Sequence, residues 1–347
     1  MIVATKLVAV KRGEVSLIKE ELPPLDNNGL LIRTLMSAIS HATELGVINR
    51  TTPTFYKKWL SEYRVYSKEG STKKYPASLG YENVGEIIDV GRDVKEFKKG
   101  DIVWTDSPHQ DFVIVSAIKN QICKLPSKEY LKRGLFIALT RVALTGIRDA
   151  KLNIGDRVAV FGLGTIGLLT IQLAALATQE KVYTVEPIKR RRILGKKLNA
   201  FVFDLGKEDA ALRIHELTDG YGVDAVIETS GNTKALHEAI RSCRMGGRVV
   251  TVGTYRQDSR HLHLAEEWHR NRIELISSMS VNGCPSRDYP RWDLYRLNKT
   301  ASELLIHRKV MVEDLITHTF PFKHAVKAYK LLAAHPEKTV KIVFSYE

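Results

Sequence analysis

The segment DRVAVFGLGTIG, residues 156–167, decides the fold of this chain. An apolar run is followed by Gly162, Gly164 and Gly167 in the spacing G-x-G-x-x-G, and a second apolar run comes directly after them. This order predicts a buried strand, a tight turn and a buried helix. The first glycine permits the turn, the second lets the backbone approach a pyrophosphate, and the third allows the helix to pack closely on the strand. The free N–H groups at the start of such a helix favour an anion. The segment therefore indicates a dinucleotide-binding domain.

Strands and helices alternate from this segment onward. The predicted strands are 156–162, 181–187, 200–205, 223–231, 246–253 and 272–280. Six strands separated by helices are typical of an α/β fold with a doubly wound, six-stranded parallel Rossmann sheet. We predict this domain over residues 151–275.

The two flanking regions show other patterns. Residues 1–150 contain short alternating strands interrupted by Gly, Pro and Asn, which predict a β domain with irregular loops. Residues 276–347 begin with a loop rich in Pro, Arg and Trp and end on the strand TVKIVFSY. That strand has no partner in the predicted Rossmann sheet, so we expect this segment to return to the first domain. The cleft between the domains is then the expected active site.

The end of the second predicted strand bears on the choice of cofactor. Glu186 stands there, 19 residues after Gly167, where a carboxylate binds ribose hydroxyls and repels the 2′-phosphate of NADP. The basic run 189–192 favours the opposite choice, because guanidinium groups suit a phosphate. We expect NAD rather than NADP. The predicted cofactor-binding residues are Gly162, Gly164, Thr165, Ile166, Gly167, Glu186, Arg191, Thr229 and Gly253.

Composition argues against several classes of protein. The 347 residues carry a net charge of +14, but Lys and Arg are spread along the chain without interleaved aromatic residues. We therefore expect an anionic cofactor or substrate rather than nucleic acid. The uncharged run 158–178 contains three glycines, which favour a buried strand and helix over a membrane span.

Cysteine usage and the N-terminus predict a cytoplasmic protein. Cys123, Cys243 and Cys284 form no C-x-x-C pair, which suits a reducing compartment and leaves no four-cysteine zinc lobe. The first residues alternate like a strand and lack the apolar run of a secretion signal.

Six stretches of the chain carry a resemblance to a known family. They are SAISHATE (37–44), GYENVGEIIDVG (80–91), FKKGDIV (97–103), LNIGDRVAVFGLGTIG (152–167), VIETSG (226–231) and GGRVVTVG (246–253). In these six stretches the chain resembles the medium-chain dehydrogenase/reductase superfamily, which includes alcohol, sorbitol and threonine dehydrogenases. The resemblance extends over essentially the full length of the chain. The resemblance implies a GroES-like β domain, a Rossmann domain and a C-terminal segment that rejoins the first. It also implies a homodimer or homotetramer paired through the edge strand 272–280.

The chain departs from the zinc-dependent members of that superfamily at their metal ligands. Those members use a Cys, a His and often a Cys or Glu, whereas this chain has Ser40 and Tyr81, with Ala138 near the third position. A catalytic zinc needs about three protein ligands, so we expect no zinc. One alternative remains open. An ungapped alignment of Ala42-Thr43-Glu44 moves His41 to the first ligand position, and His41, Glu82 and His109 would then rebuild a metal site.

Without zinc, oxidation of an alcohol needs another group to take the hydroxyl proton. The resemblance implies that Thr43 bonds the substrate oxygen. His41 is the first candidate for the acid/base because histidine titrates near neutral pH, unless it merely bonds a loop carbonyl. Tyr81 is the second candidate, unless its ring only fills the space of the absent zinc. Glu82 would orient His41 or Tyr81, or would form a buried ion pair with an arginine. The candidate catalytic residues are thus Ser40, His41, Thr43, Tyr81, Glu82 and His109.

Three functions are compatible with the sequence. The first is a zinc-independent, NAD(H)-dependent oxidoreductase of a secondary alcohol or ketone in a polyol, cyclitol or sugar-like substrate. The second is a zinc-free NAD(P)H-dependent reductase of activated C=C bonds, similar to quinone and enoyl reductases. The third is a non-catalytic nucleotide-binding protein, which the fold alone does not exclude. The polar candidates favour the first, and Glu186 disfavours the NADPH that the second usually uses.

Overall fold

The computed structural model describes residues 2–118, 121–204, 206, 208–256, 259–279 and 287–346. It divides the chain into two compact units. The first unit comprises Met1–Phe136 together with Ile316–Glu347, and the second comprises Ile137–Leu315.

The secondary structure elements are numbered in chain order. The strands are β1 (Val3–Lys11), β2 (Glu14–Glu21), β3 (Gly29–Ala38), β4 (Trp59–Leu60), β5 (Val65–Tyr66), β6 (Ala77–Ser78), β7 (Asn83–Val90), β8 (Ile102–Thr105), β9 (Phe112–Ser116), β10 (Ile122–Leu125), β11 (Val158–Phe161), β12 (Tyr183–Val185), β13 (Phe201–Phe203), β14 (Val223–Glu228), β15 (Cys243–Thr251), β16 (Glu274–Ser277), β17 (Ile316–Pro321) and β18 (Lys341–Ser345). The α-helices are α1 (His41–Ile48), α2 (Leu131–Gly134), α3 (Ile137–Ala150), α4 (Thr165–Thr178), α5 (Lys189–Lys197), α6 (Ala210–Glu216), α7 (Thr233–Arg241), α8 (Glu267–Arg270), α9 (Leu294–Ile306) and α10 (Ala325–Ala334). Short 3-10 helices cover 53–55, 128–130, 313–315, 322–324 and 336–338.

The first unit is built on sheets whose strands pair antiparallel, except that β17 runs parallel to β18. One sheet has the order β2-β1-β6, and the larger has the order β10-β8-β7-β3-β18-β17, with β9 also paired to β3. The final strand β18 runs antiparallel to β3, with Val343 opposite Ala38, so the C-terminus completes the sheet that the N-terminal strands begin. Apolar side chains of β1, near the start of the chain, pack in one core with those of α10 and β18. This core includes Leu7, Leu332 and Phe344.

The second unit contains the six-stranded parallel sheet that the sequence predicts. Its strand order is β13-β12-β11-β14-β15-β16, the 3-2-1-4-5-6 order of a Rossmann fold. Helices cover both faces of such a sheet, so its central strands are largely apolar, and all four residues of β11 are buried. The uncharged run 158–178 forms β11 and α4, as predicted. Two predicted strands end at Leu205 and Ser280, which lie outside the described residues.

The boundaries of the two units differ from those expected at residues 150 and 275. Helix α3 packs on α4 and α9, and Arg141 Nη1 donates to Asn298 Oδ1 at 3.0 Å. These contacts place α3 in the second unit, because its apolar face is buried there. The described residues between 276 and 315 also belong to this unit, and the chain returns to the first unit at Ile316.

Among the described residues, no helix combines the length and the apolar character that crossing a membrane requires.

Candidate active site

The dinucleotide turn of the second unit joins β11 to α4. Gly162 has φ +88°, a conformation that side chains other than glycine rarely adopt. A Cβ atom on Gly167 would lie 1.8 Å from the carbonyl oxygen of Gly162, so the helix packs against the turn too closely for a side chain. Gly164 caps α4 with φ −67°, and a Cβ atom there would meet no atom within 4 Å. The open face of the turn is therefore at Gly164, and Thr165 and Ile166 follow it as the first, half-buried residues of the helix.

This difference between two glycines gives a test of the cofactor site. We expect Gly164→Ala to leave the thermal midpoint nearly unchanged, because the added methyl group meets only open space, and to weaken dinucleotide binding by about tenfold or more. Gly167→Ala is the matched control, and it should lower both stability and affinity. Calorimetric titration with NAD(H) and thermal unfolding measure the two effects. Wild-type affinity in Gly164→Ala would contradict the placement of the pyrophosphate at this turn.

Two further predicted cofactor residues lie at the carboxyl ends of neighbouring strands. Thr229 follows β14, and its Oγ1 donates to the carbonyl oxygen of Gly162 at 2.7 Å. Gly253 follows β15, and a Cβ atom there would lie 2.3 Å from the backbone nitrogen of Gly231. The structure thus brings Thr229 onto the dinucleotide turn and packs Gly253 against the adjacent loop.

Glu186 is also placed at the turn. The residue is 2% exposed; Oε2 accepts from the N–H of Leu163 at 2.6 Å, and Oε1 accepts from the N–H of Ile188 at 2.8 Å. A carboxylate has about four acceptor positions, so two bonds leave capacity for ribose hydroxyls.

The basic run after Glu186 is divided between internal and exposed positions. Arg192 Nη2 lies 2.7 Å from Asp204 Oδ2, and its Nη1 donates to backbone carbonyls, so this guanidinium is held within the unit. Arg191 is half-buried in the first turn of α5, whereas Lys189 and Arg190 are exposed. The cations that could meet a 2′-phosphate are therefore fewer than the run suggests.

A buried carboxylate that the sequence did not indicate lies beside the turn. Glu228, the last residue of β14, accepts from the N–H of Ser230 at 2.7 Å and the N–H of Gly231 at 3.1 Å. It also accepts from the hydroxyls of Ser230 and Tyr255. Burial raises the pKa of the Glu228 carboxyl. The VIETSG stretch contained this residue, but nothing in it indicated that the side chain fixes the loops after two strands.

Three hydroxyl groups of the first unit lie together, and we call them the hydroxyl cluster: Ser40, Thr43 and Tyr81. The Oγ of Ser40 is 2.5 Å from the phenol oxygen of Tyr81, and Thr43 also hydrogen-bonds to that phenol. Ser40 and Thr43 lie at the start of α1, and Tyr81 follows Gly80, whose φ is +90°. Burial and then the charge of Glu82 raise the pKa of Tyr81, against the opposing effect of the two hydrogen bonds. The phenol is thus protonated near neutral pH and is able to donate to a substrate oxygen.

The hydroxyl cluster does not suit a catalytic zinc. Zinc binds thiolates, imidazoles and carboxylates, whereas Ser40 and Tyr81 offer neutral hydroxyls that already bond each other. Ala138, in the buried helix α3, offers no ligand atom. The residues at these positions therefore do not fit the metal.

The alternative ligand set of His41, Glu82 and His109 is not assembled either. Within the ranges that the structure describes, the one grouping of His, Cys, Asp and Glu donors suited to a metal lies in the second unit and contains none of the three. His41 is the half-buried first residue of α1, directly after Ser40. The other two have partners of their own.

Glu82 forms a completely buried ion pair with Lys341. Both side chains are 0% exposed, and Lys341 Nζ donates to Glu82 Oε2 at 2.5 Å. The ammonium also lies 5.5 Å from the ring centroid of Phe136. The partner is a lysine rather than the arginine considered from the sequence. The available signal was a single charged residue in the final strand, whose other residues are uncharged.

His109 is also completely buried, in a network that the sequence did not reveal. Its Nδ1 lies 2.7 Å from Ser37 Oγ, and its Nε2 lies 3.2 Å from Glu44 Oε2, which also accepts from the hydroxyl of Tyr329. Glu44 Oε1 accepts from the N–H of Ser40 at 2.6 Å. His109 is therefore not a member of the hydroxyl cluster. It is linked through Glu44 to the backbone N–H of Ser40, which is a member of that cluster.

Comparisons with known proteins identify the family of the chain. The model of the alcohol dehydrogenase GroES-like domain matches residues 44–132, and the zinc-binding dehydrogenase model matches residues 165–296. The chain is 31% identical to D-guloside 3-dehydrogenase of Escherichia coli strain K12, covering 97% of this chain and 98% of that protein. It is 30% identical to (R,R)-butanediol dehydrogenase of Bacillus subtilis, covering 71% of this chain and 77% of that one.

A solved structure supports the fold. A zinc-binding dehydrogenase from Sinorhizobium meliloti, bound to NADP, matches with a TM-score of 0.80 at 18% identity, covering 99% of this chain and all of that chain. The predicted combination of a GroES-like domain and a Rossmann sheet is confirmed. The chain therefore belongs to the medium-chain dehydrogenase/reductase superfamily and is an NAD(P)-dependent oxidoreductase that acts on alcohols.

Proposed function

We propose that this protein is a zinc-independent, NAD(H)-dependent oxidoreductase that interconverts a secondary alcohol and a ketone in a polyol, cyclitol or sugar-like substrate. The hydroxyl cluster carries the proposal. Ser40 and Tyr81 stand at positions where the resemblance implies zinc ligands, and both bond each other; Thr43, which also bonds the phenol, stands where the resemblance implies a contact with the substrate oxygen. The names of the relatives support the substrate class, since one refers to a D-guloside and another to butanediol.

The chemistry divides between the cofactor and the side chains. Bound NAD(H) supplies or accepts the hydride, and the chain must stabilise the substrate oxygen and move one proton. During ketone reduction, the phenol of Tyr81 donates a hydrogen bond to the oxygen as negative charge develops on it. Ser40 and Thr43 hold the phenol in position. His41 follows Ser40 in the chain, and histidine is a residue type that commonly exchanges protons in catalysis.

Cofactor choice follows from Glu186. We expect NAD(H) to bind more tightly than NADP(H) by about 1–3 kcal/mol, because the carboxylate accepts from ribose hydroxyls and repels a 2′-phosphate. Calorimetric titration with both cofactors measures the difference, and Glu186→Gln should reduce it. Equal affinities, or a preference for NADP(H), would show that the exposed cations of α5 dominate.

Zinc independence is tested by chelation. We expect purified protein to retain its activity after exhaustive treatment with a chelator, in a panel of polyols, cyclitols and aldehydes followed by the absorbance of reduced nicotinamide. Activity that is lost on chelation and restored by zinc in the wild type, but not restored by zinc in His41→Ala, would make His41 a ligand and overturn the proposal. The same panel tests the two alternative functions, because it also contains quinones and enoyl compounds. Turnover of these with NADPH, or cofactor binding without any turnover, would favour one of the other two functions.

We also propose assembly through the edge of the Rossmann sheet and a cytoplasmic location. Strand β16 is the outer strand of that sheet, and Leu275 on it is 40% exposed. Unpaired backbone groups of an edge strand favour pairing with a second copy, which supports a homodimer or a homotetramer built from it. The free thiols of Cys123 and Cys243 support a reducing compartment.

A further inference from the structure

A group of metal-binding side chains in the second unit has no role in the proposed reaction. His237 lies on α7, Glu266 directly precedes α8, and Glu267 is the first residue of α8. One donor atom from each of the three lies within 4.8 Å of the others. The Nε2 of His237 is 3.5 Å from Glu266 Oε2. Two ligands of one tetrahedral metal, each about 2.1 Å from it, are about 3.4 Å apart, so this pair already has the spacing of shared ligands.

Two of the three side chains contain a buried polar atom that no protein group satisfies. In the part of the chain that the structure describes, His237 Nδ1 and Glu267 Oε2 are buried and have no hydrogen-bond partner. Buried polar atoms are satisfied in the great majority of cases, and an exception calls for an explanation such as an ion. A cation shared by the imidazole and the carboxylates would give Glu267 Oε2 a partner.

The neighbouring arginine does not hold this carboxylate closely. Arg241 Nε lies 3.9 Å from the other oxygen of Glu267, a longer contact than the 2.7 Å ion pairs that the same guanidinium makes with other carboxylates. The ring of His263 lies 5.1 Å from that of His237, edge to face, and adds a second imidazole close to the group. One imidazole with two carboxylates is a donor set for zinc-class transition metals, whereas Mg²⁺ and Ca²⁺ prefer oxygen ligands alone.

We propose that His237, Glu266 and Glu267 bind one zinc-class divalent cation, which ties α7 to the start of α8. The site is separate from the hydroxyl cluster and takes no part in hydride transfer. Because the ion binds the folded unit and not the unfolded chain, its binding raises the thermal midpoint.

The test uses the full chain, stripped with a chelator and dialysed. We expect Zn²⁺ calorimetry to give one equivalent per chain, Co²⁺ to produce visible absorption, and either ion to raise the thermal midpoint. His237→Ala and Glu267→Gln should each weaken Zn²⁺ binding by more than about 100-fold. The control is His269→Ala, which removes an exposed imidazole from the same helix and should bind like the wild type.

Folding and activity are read separately. NAD(H) titration verifies that each variant is folded, and His237→Gln provides a milder variant if His237→Ala unfolds. No binding by the wild type, or equal binding by the wild type and His237→Ala, would overturn the site. Because the readouts are metal binding and stability, the result is independent of whether the oxidoreductase reaction needs zinc.

Discussion

Replacing Tyr81 with phenylalanine is expected to lower kcat by about 10²–10⁴-fold, the usual contribution of a general acid/base, while the affinity for NAD(H) stays nearly unchanged. The substitution removes one oxygen, and with it the donor that we assign to the substrate and the partner of Ser40. The dinucleotide turn lies in the other unit and keeps all its contacts. Steady-state kinetics and calorimetry on the same preparation separate the two effects.

The control for this variant is Tyr75→Phe. The hydroxyl of Tyr75 donates to the carbonyls of Val47 and Ile48 at the end of α1, so its loss affects packing but not the hydroxyl cluster. His41→Ala tests the remaining assignment of the acid/base. A large loss of activity in His41→Ala, together with a small loss in Tyr81→Phe, would assign the acid/base role to His41 instead of Tyr81. Full activity in both variants would refute the proposed site.

Breaking the buried ion pair should produce the largest loss of stability. We expect Lys341→Met to lower the free energy of unfolding by about 3–5 kcal/mol, because it leaves the carboxylate of Glu82 buried without its ammonium partner. The double variant Lys341→Met with Glu82→Leu should recover most of the loss, since two apolar side chains leave no charge to desolvate. Urea unfolding measures both.

An exposed ion pair provides the comparison. Lys11 Nζ lies 2.9 Å from Glu14 Oε2, and both side chains are more than half exposed. Lys11→Met should therefore cost at most about 1 kcal/mol. The buried pair has its own contrary outcome. If Lys341→Met and the double variant lost the same free energy of unfolding, the loss would come from packing in β18 and not from the charge of Glu82.

The sequence was most informative where structure is local. The tight turn at Gly162, the close packing at Gly167 and the strand before them all follow from residues within one segment, because the turn glycines and the apolar run are adjacent in sequence. The six strands of the second unit were predicted for the same reason, since each one is an apolar run between glycine-rich or polar turns. Ser40, Thr43 and Tyr81 were also predicted, but through a family resemblance and not from their spacing.

Tertiary structure decided which side chains meet. The partners Glu82 and Lys341 are 259 residues apart, and Glu44 and Tyr329 are 285 apart. The amphipathic pattern of α3 predicts that one of its faces is buried, but not that this face packs in the second unit. An apolar periodicity specifies a buried face without its partner, and a lone charged residue in a strand gives no sign of its counter-ion. The sequence by itself thus determined the dinucleotide turn and the Rossmann sheet. The unit boundaries, the buried ion pair and the network around His109 depended on chain folding, because their energies come from contacts between segments that are distant in sequence.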